Sequence, residues 1–154
     1  MWEITQTRTG KDGNCFAACI SSIFEIPLEE IPEFGDASFL DDVDTFLEPR
    51  GLYYVQVPLD DESLSVVFRK GHILSTIEGL SPRGGLHACV ALNGKLIWDP
   101  HPQDGTGRGL VREDCYGLFG ARPRLFMSAR KVIQAQSADI LTSIRGKRRL
   151  KVAK

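Results

Sequence analysis

The chain has 154 residues, of which 42% are hydrophobic and 25% are charged, and its net charge at pH 7 is −1. This composition excludes a disordered chain, and the length suits one domain with a real hydrophobic core. No apolar run approaches the ~20 residues that a membrane helix needs, and the first residues lack a secretory-signal pattern.

A helix is predicted first, over residues 14–25, because apolar side chains recur there every three or four positions. Asn14 or Asp12 is expected to cap it, and Pro27 to end it. The next predicted elements are a second helix within 38–51, a strand over 52–58 and a short third helix within 60–71.

From residue 72 the pattern becomes that of an antiparallel sheet. Segment 110–120 is ambiguous, residues 122–134 fit a last strand, and the C-terminal segment 128–154 is predicted to contain a last strand or helix and a basic tail. Helices followed by a sheet predict the α+β class. The clearest strands are predicted over 72–78, 86–92 and 95–99.

The charge is unevenly distributed between two predicted regions. Residues 1–127, the predicted domain, carry a net charge of −8, whereas the C-terminal segment 128–154 carries +7. Such a tail is suited to contact nucleic-acid phosphates or an acidic partner, the acidic domain itself being one candidate, but a solvated chain end has the same composition.

The lack of a secretory-signal pattern predicts a cytoplasmic protein, in which the cysteines are expected to be reduced thiols. Their spacing, C-x3-C followed by two isolated residues, matches no common zinc pattern. We therefore predict neither a metal nor an organic cofactor. The four cysteines are Cys15, Cys19, Cys89 and Cys115.

Cys15 is the candidate nucleophile, because it follows a Gly-Asn turn and begins the first helix. The positive end of a helix and a nearby imidazolium both lower a thiol pKa, which favours the reactive thiolate. Cys19 lies one turn further along the apolar stripe and is expected in the core. The imidazole is expected from His87, at the start of a strand, with His101 as an alternative.

Asp99 is the candidate partner of His87, if the hairpin turn has the right length. A two-residue Asn93-Gly94 turn would place their side chains on opposite faces of the sheet. A three-residue loop, Leu92–Gly94, would pair residue 87 with residue 99 and bring the two side chains together. We predict the three-residue loop.

These residues resemble the papain-like cysteine peptidase superfamily. The similarity lies in "GNCFAACISSIF", "GGLHACVAL" and "IWDP" and spans roughly residues 4–102. It is closest to the bacteriocin-leader peptidases and to small phage or bacterial papain-like proteins. The resemblance implies a papain-like fold with Cys15 as nucleophile, His87 as general base and acid, Asp99 as the orienting carboxylate and Gln6 as an oxyanion donor.

The expected activity is hydrolysis of an amide or isopeptide bond in a peptide or protein substrate. Asn14 and His101 are candidate substrate-side residues. Acyl transfer or glutamine deamidation by the same triad remains an alternative, and so does a non-enzymatic binding module that uses its basic tail.

Overall fold

Three helices and a five-stranded sheet make up the computed structural model, which describes residues 1–69, 71–102 and 107–122. The helices are α1 (Cys15–Phe24), α2 (Phe39–Leu47) and α3 (Ser63–Arg69). The strands are β1 (Leu52–Pro58), β2 (Leu74–Leu80), β3 (Leu86–Leu92), β4 (Lys95–Trp98) and β5 (Arg112–Ala121). Short 3₁₀ turns occupy Gly10–Asp12, Leu28–Glu30 and Glu48–Arg50.

The strands are arranged in the order β1-β5-β2-β3-β4. Strand β2 lies at the centre and pairs antiparallel with both β3 and β5, and β3 pairs antiparallel with β4. This confirms the predicted α+β class. The ambiguous segment 110–120 proves to contain most of β5, an interior strand whose charged start and two glycines hide the usual strand pattern.

The main core lies between α1 and the sheet. Helix α1 packs against β3, and its residues Ala18, Cys19 and Ile20 are completely buried, which confirms the core position expected for Cys19. An aromatic cluster continues this core, because the Phe16 ring makes edge-to-face contacts with Tyr54 at 5.4 Å and with Phe39 at 4.7 Å.

The β3–β4 hairpin corrects the predicted loop. Asn93 and Gly94 form a two-residue turn in which both residues have positive φ, 51° and 79°, as a type I′ turn requires. Leu92 therefore pairs with Lys95, and the three-residue loop is wrong. The positive φ of Asn93 costs little, because asparagine tolerates the left-handed region better than most residues.

A β-bulge in β4 nevertheless places Asp99 on the same face of the sheet as His87, as the three-residue loop had predicted. Ala91 pairs with Leu96, but Val90 pairs with Trp98, so Ile97 is an extra residue in the ladder. Trp98 consequently shares a face with Val90, and Asp99 falls on the opposite face together with His87. In a regular two-residue hairpin the side chains of residues 87 and 99 would lie on opposite faces, and the extra residue of the bulge moves Asp99 to the face of His87.

Gly117 in β5 is required by close packing across the sheet. It lies opposite Thr76, and a Cβ atom there would overlap the Thr76 hydroxyl and the Tyr54 hydroxyl. We expect Gly117→Ala to lower the free energy of unfolding by about 2–3 kcal/mol, because an interior position has no room to adapt. Urea denaturation measures the change. Gly85→Ala is the control, since its Cβ would meet no atom within 4 Å, and equal losses in both variants would contradict the prediction.

Contacts group Met1–Gly120 into one compact unit. The basic segment 128–154 and the predicted boundary at residue 127 lie outside the described residues, so the predictions about them stay predictions. The predicted last strand over 122–134 lies there too, apart from its first residue. Within the described part of the chain, no helix is long and apolar enough to cross a membrane.

Candidate active site

Cys15 is the first residue of α1, and the preceding loop is fixed by the side chain of Asn14. The Asn14 Oδ1 accepts hydrogen bonds from the backbone N–H groups of Thr7 and Arg8, at 3.1 and 3.0 Å. Its Nδ2 donates to the Thr7 hydroxyl at 3.1 Å. Asn14 occupies the N-cap position, but its side chain does not cap the helix as predicted. Instead it ties the N-terminal segment to the start of α1.

The Cys15 thiol lies beside β3, where it interacts with the His87 side chain and with the backbone of Ala88. Burial opposes ionisation of the thiol, but hydrogen bonding and Coulombic attraction from His87, together with the backbone N–H groups of Ala88 and Phe16, lower its pKa below the ordinary value. The thiol predicted to be the nucleophile is therefore the one that ionises readily.

The second neighbour of His87 is Asp99, which follows β4. The His87 Nε2 lies 2.7 Å from the Asp99 Oδ1, and both side chains are about 4% exposed. Because Asp99 occupies Nε2, the Nδ1 atom is the one left for a thiol. The structure thus brings together the three residues that the sequence singled out, in the order Cys15, His87, Asp99.

Asp99 is held in place by backbone groups on both sides of its loop. Its Oδ1 also accepts the N–H of His101 at 2.8 Å, and its Oδ2 accepts the N–H of Gly109 at 2.5 Å. The Arg108 guanidinium donates to the Asp99 backbone carbonyl at 3.1 Å. A carboxylate that accepts this many hydrogen bonds is fixed in position and favours its charged form.

The electrostatics of the pair favour an imidazolium next to a carboxylate. Burial alone would lower the pKa of His87, but the hydrogen bond to Asp99 and those to Cys15 and Cys89 raise it to about 11. Burial likewise opposes the charge on Asp99, yet His87 and the two backbone donors bring its pKa well below the ordinary value. These shifts favour a thiolate–imidazolium pair over a neutral thiol next to a neutral imidazole.

Gln6 and His101 are both buried next to this centre. The Gln6 backbone N–H donates to the Pro100 carbonyl at 2.8 Å, which places Gln6 beside the Asp99 loop. Its side-chain amide donates to the Arg8 carbonyl at 2.7 Å. The His101 ring lies 6.3 Å from the His87 ring, edge to face. Both residues thus adjoin the triad, and their predicted roles stay predictions.

Sequence reasoning missed Cys89, whose Sγ atom lies within 4.8 Å of a ring nitrogen of His87. The signal was available, because residues 87 and 89 of one strand share a face. The ligand atoms of His87, Cys89 and Asp99 lie within 4.8 Å of one another, so this buried set can also hold a thiophilic metal ion such as Zn²⁺. Burial raises the pKa of the Cys89 thiol, which distinguishes it from Cys15.

Comparison of the chain with protein-family models, with curated proteins and with solved structures finds no match. Function is therefore inferred from the chemistry of the site itself.

Proposed function

We propose that this protein is a cysteine-dependent hydrolase that cleaves an amide or isopeptide bond through a thioester. The observation that carries the proposal is the connected arrangement of a thiol with a lowered pKa, an imidazole and a buried carboxylate. This arrangement meets the usual requirement for nucleophilic catalysis, in which the nucleophile contacts a base and a third group orients the base. The papain-like resemblance supports the same assignment.

In this mechanism the Cys15 thiolate attacks the acyl carbon of the substrate, and a C–S bond forms. The His87 imidazolium gives its proton to the leaving amine as the C–N bond breaks, which leaves a thioester and a neutral imidazole. His87 then removes a proton from water, the resulting hydroxide attacks the thioester, and the Cys15 thiolate leaves as the carboxylic acid forms. Asp99 holds the imidazole throughout and stabilises its charged form.

The negative oxygen that develops on the acyl group needs hydrogen-bond donors. The backbone N–H of Cys15 is suited to this task, because it belongs to the first turn of α1, whose N–H groups have no partner within the helix. Gln6 is the proposed second donor. An amide nitrogen carries two hydrogens, and the bond to the Arg8 carbonyl uses one of them.

The test uses p-nitrophenyl acetate as a general acyl donor. We expect a burst of one nitrophenolate per chain, followed by slower turnover, with the transient acetyl group mapped to Cys15 by peptide mass spectrometry. The Cys115→Ala variant should give the same burst, because burial and Glu78 raise the pKa of that half-buried thiol to about 11. An acetyl group on another cysteine, or one that never leaves Cys15, would argue against a hydrolase.

The same assay separates hydrolysis from acyl transfer. With methylamine added, a hydrolase should still release mainly acetate, whereas an acyltransferase should form mainly N-methylacetamide. Predominant amide formation would replace the hydrolase assignment by the transferase alternative and leave the role of Cys15 unchanged.

A further inference from the structure

A second polar cluster lies on the sheet, separate from the triad, and is centred on Glu78 of β2. The Glu78 Oε1 accepts hydrogen bonds from the Tyr54 hydroxyl and, at 2.7 Å, from the Thr76 hydroxyl. Its Oε2 accepts the Gln56 side-chain amide at 2.8 Å. The Cys115 thiol lies 4.0 Å from the same oxygen. The carboxylate is thus contacted by side chains from its own strand, β2, and from β1 and β5.

Every one of these donors is neutral. Among the residues that the structure describes, no lysine, arginine or histidine forms an ion pair with Glu78. A half-buried carboxylate with a fixed orientation and no cationic partner retains most of its negative potential. Gln56 is exposed, so the Oε2 side of the cluster faces solvent. The cluster is therefore suited to attract a positive group from outside.

Two sets of contacts place Glu78 next to the start of α1. Glu78 lies directly opposite Ala88 in the β2–β3 ladder, and the Ala88 backbone contacts the Cys15 thiol. Paired residues have Cα atoms about 5 Å apart, and their side chains share a face. Independently, the Tyr54 ring that donates to Glu78 packs on Phe16, the residue after Cys15.

We propose that Glu78 forms an acidic subsite that binds a cationic group of the substrate, an ammonium or a guanidinium, beside the acyl carbon that Cys15 attacks. This inference rests on the proposed function, because it assigns a substrate class to the same nucleophile. Tyr54 and Thr76 are positioning residues that hold the Oε1 atom of the carboxylate, whereas Gln56 contacts only its solvent-facing Oε2 atom. The favoured substrates then carry a lysine, an arginine or a free α-amino group close to the scissile bond.

The first experiment needs no catalysis. The rates at which Cys15 reacts with methyl methanethiosulfonate and with its trimethylammonium-ethyl analogue are compared at low ionic strength, with labelling assigned by peptide mass spectrometry. We expect the ratio of cationic to neutral rate to fall about fivefold in Glu78→Gln relative to the unmodified protein. Glu62→Gln, which removes the same charge from an exposed position, should leave the ratio unchanged.

Gln56 offers a second variant that keeps Glu78 and its other bonds. In Gln56→Lys an ammonium sits next to the Glu78 Oε2 and should abolish the cationic preference, whereas the uncharged Gln56→Met should preserve it. Because residue 56 is exposed, both variants should fold. An unchanged ratio in Gln56→Lys, or an equal loss in Gln56→Met, would overturn the subsite.

Substrate esters distinguish failure of the subsite from failure of the enzyme. The p-nitrophenyl esters of Nα-acetyl-lysine and Nα-acetyl-norleucine differ in the charged end of the side chain, and we expect the lysine ester to have the higher kcat/KM, by about fivefold. Turnover of both esters at equal rates contradicts the subsite and leaves the hydrolase intact. Absence of turnover, with a reagent preference that disappears in Gln56→Lys, contradicts the hydrolase and supports the subsite.

A further pair of esters shows whether the bound cation is a basic side chain or a free α-amino group. The lysine ester is compared with the p-nitrophenyl ester of unacetylated norleucine, which carries its positive charge at the α-amino group. A preference for the lysine ester identifies a basic side chain as the group bound, and a preference for the amino ester identifies a free N-terminus. Gln56→Lys should abolish whichever preference is found.

Discussion

Alkylation of Cys15 by iodoacetamide at pH 6 is expected to be about 100-fold slower in His87→Ala than in the unmodified protein. A thiol of ordinary pKa, about 8.5, is only about 0.3% ionised at this pH, whereas the lowered pKa of Cys15 next to His87 gives it a larger thiolate fraction. The rate difference is smaller than the difference in ionisation, because a thiolate of lower pKa is also a weaker nucleophile. Loss of the imidazolium leaves burial as the dominant influence, and burial raises a thiol pKa.

The pH profile gives a sharper measurement than a single rate. In the unmodified protein the rate should reach its plateau at a lower pH than in His87→Ala, since the pKa of Cys15 is lowered by His87. In His87→Ala the rate should still rise about tenfold per unit between pH 6 and pH 8. His72→Ala is the control, because His72 is exposed, and should match the unmodified protein. A profile in His87→Ala that matches the unmodified protein would show that the imidazole does not activate Cys15.

The α1 and β3 placements could be predicted from sequence because each depends on local patterns. The apolar period of residues 14–25 and the position of Cys15 directly after a turn define the start of the helix to within one residue. His87 likewise is the second residue of the short, mostly apolar strand β3, which follows a glycine-rich loop. These two patterns were sufficient to nominate the thiol and the imidazole, because Cys15 lies at the start of the predicted helix and His87 lies near the start of the predicted strand.

The way in which Asp99 reaches His87 could not be predicted in the same manner. Turn statistics and face alternation led to a three-residue loop, whereas the chain uses a two-residue turn and a bulge at Ile97. A bulge has no fixed sequence signal, because it depends on which residues the neighbouring strand and loop can accept. The juxtaposition of residues 87 and 99 was therefore predicted correctly from a wrong register.

The Glu78 cluster illustrates a second limit. Tyr54, Glu78 and Cys115 come from β1, β2 and β5, and only the strand order brings them together. Segment 110–120 was ambiguous in sequence, so β5, the strand that lies between β1 and β2 in the sheet, could not be predicted. The small size of Gly117, which makes room for the Tyr54 and Thr76 hydroxyls, becomes meaningful only in that context.

Asp99→Asn is expected to reduce turnover of p-nitrophenyl acetate about 100-fold while the chain still folds. An asparagine oxygen can replace Oδ1 and keep the contacts with His87 and His101, but its amide nitrogen would face the N–H of Gly109. The lost negative charge also lowers the pKa of His87, so less imidazolium is available to pair with the thiolate. Asp99→Ala removes all three contacts and should lower the free energy of unfolding by about 3 kcal/mol or more.

The pH dependence of stability tests the ion pair directly, by urea denaturation of the unmodified protein and Asp99→Asn. The pKa of His87 is raised from 6.5 to about 11, so its stabilisation is fully present below pH 6.5 and is lost as pH rises toward 11. The pKa of Asp99 is lowered, so its stabilisation is present above its ordinary value of 3.8 and is lost as pH falls below it. The difference in unfolding free energy between the two proteins should therefore be largest near pH 5.5 and smaller at pH 9.5. A difference that stays constant over this range would mean that Asp99 supports the loop through its backbone contacts alone and does not hold a charged His87.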